Sequence, residues 1–183
     1  MEEKTLKKNI IFEGKVLSLR VDEVELSNGH ICTREVVEQA GGVCIAPIND
    51  SNELTLVKQY RYPVSSITLE LPAGKLEGEN PDPLQQAKRE LLEETGIIGK
   101  DYFSLGSFYT SQAVSTDKLY LFGCRVEKIV KPMPDEDEIL EVYNIPIVKA
   151  LNMVLSGEIM DAKTQIAILK LHYKMQDTQN NFF

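Results

Sequence analysis

No cluster of lysine or arginine stands out in these 183 residues, and their 28 acidic side chains outnumber 20 basic ones for a net charge of −8. A nucleic-acid binder needs a basic patch to neutralise phosphates, so that class of partner is set aside. Acidity itself mainly favours solubility. It also raises a question, because an anionic substrate would need a cation to screen it here. Cysteine is scarce: Cys32, Cys44 and Cys124 are widely spaced, the first two in β-branched runs. They read as buried free thiols in a reducing compartment, not as a disulfide framework. Also missing are an N-terminal apolar leader and any apolar run long enough to span a bilayer. The expected setting is cytoplasmic, without a membrane partner. No internal repeat and no low-complexity block interrupts the chain.

What is present suits a soluble globular protein, at 43% hydrophobic and 26% charged residues. The length fits one domain, or one domain with an extra N-terminal element, and buries a core without staples. Alternating residues predict strands over "FEGKVLSLRVDEVEL" and "ICTREVVEQ", and Asn28-Gly29 between them is a strong hairpin signal. "GGVCIAPI" reads as a buried central strand. "LTLVKQYRYP" is a further strand that Pro63 ends, and "ITLELPAG" a short one that breaks at Pro72. A helix is expected from Pro83 to a stop at Gly96, with apolar positions at Leu84, Ala87, Leu91 and Leu92. Strands follow in "YFSLGSFYTS", "KLYLFGCRVEKI" and "LEVYNI", then a helix from Pro146 to Leu155. A last helix, "DAKTQIAILKLHYKM", takes Asp161 as its cap. The class is α+β, with helices on a mixed sheet. Residues 1–40 form an N-terminal β element, 41–176 the main domain and 177–183 a frayed tail.

One feature of the first helix is at odds with its stability. Glu90, Glu93 and Glu94 lie three and four residues apart on one side of it, where like charges repel by about 0.2–0.5 kcal/mol per pair. Arg89 is placed to pair with Glu93 and leaves the others uncompensated. Such a face is either a solvated charge run or a site for a hard divalent cation, which takes carboxylates, waters and substrate phosphates as ligands. Ahead of it stands "LPAGKLEGE", whose Ala73-Gly74 lets backbone approach a ligand closely.

The run Gly74…Glu79…Arg89-Glu90-Leu91-Leu92-Glu93-Glu94-Thr95-Gly96-Ile97 resembles the Nudix box, G-x5-E-x7-R-E-U-x-E-E-x-G-U with U aliphatic. Its C-terminal nine positions match fully. The spacing before them differs, with four residues between Gly74 and Glu79 and nine between Glu79 and Arg89, so "NPDP" rebuilds the loop and leaves the role of Glu79 open. "REVVEQAGGV", "LVKQYRYP" and "ELPAGKLE" extend the likeness to the ADP-ribose pyrophosphatase branch of the superfamily, over nearly the whole chain.

That resemblance implies a Nudix α/β/α sandwich with an N-terminal antiparallel sheet exchanged in a homodimer. It implies Mg2+-dependent hydrolysis of the pyrophosphate bond of a nucleoside diphosphate sugar, with ADP-ribose giving AMP and ribose 5-phosphate, and with Mn2+ able to substitute. Glu90, Glu93, Glu94 and the carbonyl of Ala73 would hold the metal. Arg89 would orient Glu93 or Glu79. Arg61 resembles the branch's phosphate-facing arginine, Glu70 its terminal-ribose or supporting carboxylate, and Arg34 one reaching toward nucleotide across the dimer. Arg34 and Arg61 otherwise read as strand-surface cations and Glu70 as a solvent-facing acid. The resemblance also places a catalytic glutamate four residues before the valine of the following strand, which counted back from Val142 is Glu138, in the loop "PMPDEDEI", with Glu136 the other candidate. Where the branch carries a proline and glycine beside the sugar or base, this chain has Gln112 and Ala113. A different nucleotide sugar such as GDP-mannose is therefore the alternative substrate, and a non-catalytic nucleotide sensor the alternative class.

Overall fold

The structure, a computed structural model, describes residues 2–134 and 138–180. The chain divides into two compact units, Met1–Gly41 with Phe108–Leu119, and Gly42–Ser107 with Tyr120–Phe183.

In the first unit β1 (Lys4–Lys7), β2 (Ile10–Glu13), β3 (Ser18–Glu25) and β4 (Ile31–Glu38) form one antiparallel sheet. β4 pairs along the whole of β3, from Ser18↔Glu38 to Glu25↔Ile31, while β1 and β2 share the other edge. The Asn28-Gly29 turn joins β3 to β4. Gly29 takes φ +81°, which a side chain would resist, and Leu26 N–H donates to the His30 carbonyl at 2.9 Å. Residues 108–119, expected with the main domain, group here instead: Val37 N–H donates to the Val114 carbonyl at 2.7 Å, and Thr116 N–H to the Val37 carbonyl at 3.0 Å. Ile10, Ile11 and Phe12 remain exposed on β2, at 64%, 62% and 55%.

The second unit is built on the strand order β11-β6-β5-β10-β9, from β5 (Gly42–Ile48), β6 (Glu53–Arg61), β9 (Ile97–Tyr109), β10 (Lys118–Ile129) and β11 (Glu141–Pro146). β7 (Ser66–Glu70) pairs with β6, and β8 (Ala73–Lys75) with β5. Pro63 ends β6 as its missing N–H requires, and Tyr62–Val64 turns as a 3-10 helix. Every residue of β5 is buried. Its Val43 and Ile45 pack with Ala87 and Leu91 of α1 (Pro83–Thr95). Cys44 has the opposite parity and lies within electrostatic reach of Lys163 on α3 (Ala162–Asn180), which packs on the same strand. Alternate residues of a strand point to opposite faces, so α1 and α3 sandwich β5. α2 (Ile147–Leu155) packs on α3 and on β6 and β11. Leu91 is fully buried in the α1 core, so Leu91→Ala would cost about 2–5 kcal/mol.

The helix signals act as the chemistry of their residues dictates. Asp82 accepts from the N–H groups of Leu84 (2.9 Å) and Gln85 (3.3 Å) ahead of Pro83. Gly96 closes α1 at φ +72°, and its N–H donates to the Leu92 carbonyl. A Cβ there would overlap the Val130 carbonyl oxygen, so glycine is required twice over. Asp161 caps α3 through the Thr164 N–H at 3.0 Å, and that helix runs to Asn180, past the expected boundary at 176.

Candidate active site

The β5–β8 register, Val43↔Gly74 and Cys44↔Ala73, lays the Ala73-Gly74 backbone beside α1. The approach is close enough that a Cβ on Gly74 would overlap the Glu90 carboxylate. Gln86 Nε2 donates to Glu90 Oε1 at 2.7 Å, one turn back along α1, and holds it there. One turn forward, Glu94 is buried and its Oε2 accepts the Ala73 N–H at 3.2 Å. Arg89 links Glu93 to this pair: its Nε approaches Glu93 at 3.7 Å and its Nη2 donates to Glu90 Oε1 at 3.4 Å, and the Glu93 side chain is partly exposed. Two of the three helix acids thus converge on the glycine loop.

Charge in this corner is held at a cost. Burial, then the neighbouring charges of Glu138 and Glu90, push the Glu94 carboxyl up to about 8. Burial also raises Glu90, against the opposing effects of Gln86 and Arg89. Glu138 acts on both carboxyls and so stands within electrostatic reach of them. The segment leading to it is tied to the end of α1, with Val130 N–H donating to the Gly96 carbonyl (2.8 Å) and Met133 N–H to the Glu93 carbonyl (2.9 Å). Glu136 lies outside the described residues.

A second cluster borders the first. Arg61 donates to Glu70 through Nε and Nη2, both at 2.8 Å, in a bidentate pair. Glu70 does not face solvent as a lone strand acid would. It is 2% exposed and also accepts from Thr68 Oγ1 at 2.6 Å and from Lys163 Nζ. Burial opposes its charge, but the Arg61 and Lys163 partners overcome that and hold its carboxyl down to about 2. Lys163 also donates to Asp161 at 2.8 Å. The cluster carries two cations and two carboxylates, and the charge of Glu94 is felt at Arg61.

The remaining sequence candidates fall elsewhere. Arg89 takes Glu77 as its loop partner at 2.8 Å, not Glu79, because the rebuilt spacing brings Glu77 opposite the helix. Arg34 and Gln112 belong to the first unit. Arg34 is engaged by Glu3 of the same chain in a bidentate pair at 2.7 and 2.9 Å, and Gln112 sits on the turn closed by Val114 N–H on the Ser111 carbonyl. Gln86, Glu77 and Lys163 were missed by sequence reading. Gln86 had a signal, its four-residue spacing to Glu90 on one helix face; Lys163 had none.

Does this arrangement fit a metal ion? Among the described residues no three His, Cys, Asp or Glu side chains stand close enough to hold one by themselves. Magnesium asks for less, since it binds through one or two carboxylates and takes substrate phosphates and water for the rest. Glu90 and Glu94 beside a glycine cradle, with the Ala73 backbone between them, are a donor set of that hard-oxygen kind.

Comparison with known proteins matches residues 38–159 to the NUDIX domain and residues 3–37 to the nucleoside diphosphate sugar hydrolase N-terminal domain. An ADP-ribose pyrophosphatase of Bacillus subtilis (strain 168) is 41% identical over 95% of this chain and 95% of its own. A GDP-mannose pyrophosphatase of Yersinia pestis (strain Pestoides F) is 33% identical over 76% of this chain and 73% of its own. A solved structure titled as an ADP compounds hydrolase shares the fold, with a TM-score of 0.85 at 19% identity over 97% of this chain and 96% of that one.

Proposed function

The chain belongs to the Nudix family, and from that premise we propose that it hydrolyses the pyrophosphate bond of a nucleoside diphosphate sugar with magnesium as cofactor. The leading substrate is ADP-ribose, cleaved to AMP and ribose 5-phosphate. Members of this family generally need a divalent metal ion. The observation that carries the reading is the convergence of Ala73, Glu90 and Glu94 on a glycine cradle beside the Arg61–Glu70 pair. Carboxylates for a cation and a fixed guanidinium for phosphate are what a pyrophosphate substrate needs from an acidic protein.

In this reading Glu90, Glu94 and the Ala73 carbonyl would hold the metal, with Glu93 as the further carboxylate of the set. Bound magnesium supplies charge neutralisation of the pyrophosphate and a lowered pKa for the attacking water. Arg61 keeps Nε and Nη2 on Glu70, which leaves Nη1 for a phosphate oxygen. Water adds to phosphorus, the bridging phosphorus–oxygen bond breaks, and Glu138 accepts the water's proton. Arg89 holds Glu77, Glu90 and Glu93 in place and acts through them as a positioning residue. Arg34 is assigned to the nucleotide across the dimer, and Gln112 to the sugar or base end of the substrate.

GDP-mannose is the second reading, supported by Gln112-Ala113 in place of the branch's proline and glycine and by the 33%-identical relative. We further propose a homodimer, in which the exposed Ile10, Ile11 and Phe12 of the first unit are covered by the partner. No helix among the described residues is long and apolar enough to cross a membrane, and the reading involves neither membrane nor nucleic acid. The test is incubation with magnesium and a panel of nucleotide sugars, dinucleotides and triphosphates, with both products identified. A nucleoside monophosphate plus a sugar phosphate is expected. Turnover of triphosphates alone would reject the reading. Gln112→Pro should reorder the sugars while leaving the best turnover nearly unchanged, because it reshapes a wall and not the metal site.

A further inference from the structure

We propose that Lys163 and Thr164, in the first turn of α3, are positioning residues for this site. Lys163 sets Arg61 through Glu70, and Thr164 sets Ala73 and Glu94 through Leu71. The proposal rests on the functional reading above and adds to it a layer that neither the box nor its loop contains.

The end of β7 runs Glu70-Leu71-Pro72-Ala73 into the glycine cradle, and the backbone of each of the last three residues is tied to a different element. Leu71 N–H donates to Thr164 Oγ1 of α3 at 2.9 Å, and both residues are buried. The Pro72 carbonyl accepts Ile45 N–H of β5 at 2.9 Å. Ala73 N–H donates to Glu94 Oε2 of α1 at 3.2 Å. A buried N–H left without its acceptor is costly, so losing the Thr164 hydroxyl would free the strand end one residue from Pro72 and two from the Ala73 carbonyl.

The side-chain half runs in parallel. Each oxygen of Glu70 receives two donors, Arg61 Nε and Thr68 on one, Arg61 Nη2 and Lys163 Nζ on the other. A carboxylate so occupied has no natural role as a substrate acceptor. What it does is hold the Arg61 guanidinium by one edge. Lys163 completes that arrangement and balances the charge, being itself fixed by Asp161 Oδ1 while Asp161 Oδ2 caps α3 at the Thr164 N–H. Without the ammonium, Glu70 and Asp161 face a single cation, Arg61, which would be drawn into neutralising both.

The two arms separate experimentally, because one ends on a substrate contact and the other on the metal loop. Four full-length variants are compared with wild type by steady-state kinetics on the best nucleotide sugar, by Mn2+ titration followed by electron paramagnetic resonance without substrate, and by thermal melting. Lys163→Met should raise KM about tenfold or more with a smaller change in kcat, and Lys163→Arg should restore KM to within about threefold. Thr164→Val should weaken Mn2+ binding about fivefold or more, while Thr164→Ser, which keeps the acceptor, should not. Should Lys163→Met fail to fold, Lys163→Gln takes its place with the same expectation. If KM in the lysine variant or Mn2+ affinity in the valine variant stays within about twofold of wild type, the proposal is overturned, even if melting temperatures fall. A wild-type protein inert toward every nucleotide sugar would remove the functional reading and with it the Lys163 arm, and the Mn2+ titration would still decide the Thr164 arm.

Discussion

Glu94→Gln should make the metal-free protein more stable, by an amount that grows with pH. Glu94 is 3% exposed, and its carboxyl is pushed up to about 8 by burial and by the charges of Glu138 and Glu90. An acid that holds its proton more tightly when folded contributes its full stability below its ordinary value of 4.5 and loses it as pH rises through about 8. The gap corresponds to a penalty of about 1 kcal/mol at pH 5, about 3 at pH 7 and about 5 at pH 9. Glutamine is neutral, fits the same space and can still accept the Ala73 N–H, so it escapes the penalty. For a chain of this length, about 3 kcal/mol corresponds to a rise in Tm of about 6–12 °C at pH 7. Calorimetric melts in chelator at pH 5, 7 and 9 test this, with the difference widening toward alkaline pH. Saturating magnesium should then reverse the order, since a ligand stabilises only the protein that binds it. A variant that melts below wild type at pH 9 in chelator, or whose gain is the same at pH 5 and pH 9, would show that Glu94 carries no such penalty.

Three further outcomes follow from the geometry. Glu138→Gln should lower kcat about a hundredfold or more with a smaller change in KM, as loss of a general base does, and full activity in the variant would move that role elsewhere. Gly74→Ala should weaken Mn2+ affinity about tenfold or more, because its new methyl occupies the place of the Glu90 carboxylate; unchanged affinity in a spin-resonance titration would mean that Glu90 is not a ligand. Light scattering at micromolar concentration should give twice the chain mass, and Phe12→Glu should shift it toward one; a wild-type monomer rejects the dimer.

The first helix was legible in nearly every detail, because its signals are local. Asp82, Pro83 and Gly96 act on backbone groups within a few residues, and the apolar spacing of Ala87 and Leu91 fixes which side meets β5. The Asn28-Gly29 turn and the Asp161 cap are of the same kind. Misreadings begin where a partner lies far along the chain. Glu70 between two leucines reads as a solvent-facing strand acid, and what buries it is a lysine 93 residues away. The 108–119 segment reads as part of the main domain, until its hydrogen bonds to Val37 group it with residues some 77 positions earlier, as Gln39 and Thr116 are.

The box itself shows both kinds of limit. Spacing alone cannot separate the three glutamates on one helix face, and reads them together as metal ligands. Packing separates them. Glu90 and Glu94 are four apart and meet the cradle, whereas Glu93 is the more exposed acid and joins them through Arg89, which it shares with Glu90. The rebuilt loop makes the same point from the other direction. Losing one residue before Glu79 and gaining two after it breaks the motif's count, yet Arg89 still finds a loop carboxylate, Glu77 in place of Glu79. A flexible acidic loop can satisfy a guanidinium from more than one position, because an exposed pair asks only for proximity. The Gly74 cradle has less freedom, because a side chain there would displace the Glu90 carboxylate from its place. The tolerance of this site to sequence change therefore follows burial. Spacing drifts at the exposed Arg89 partner, whereas Glu94 and Leu71 are buried and each hydrogen-bonds a defined partner.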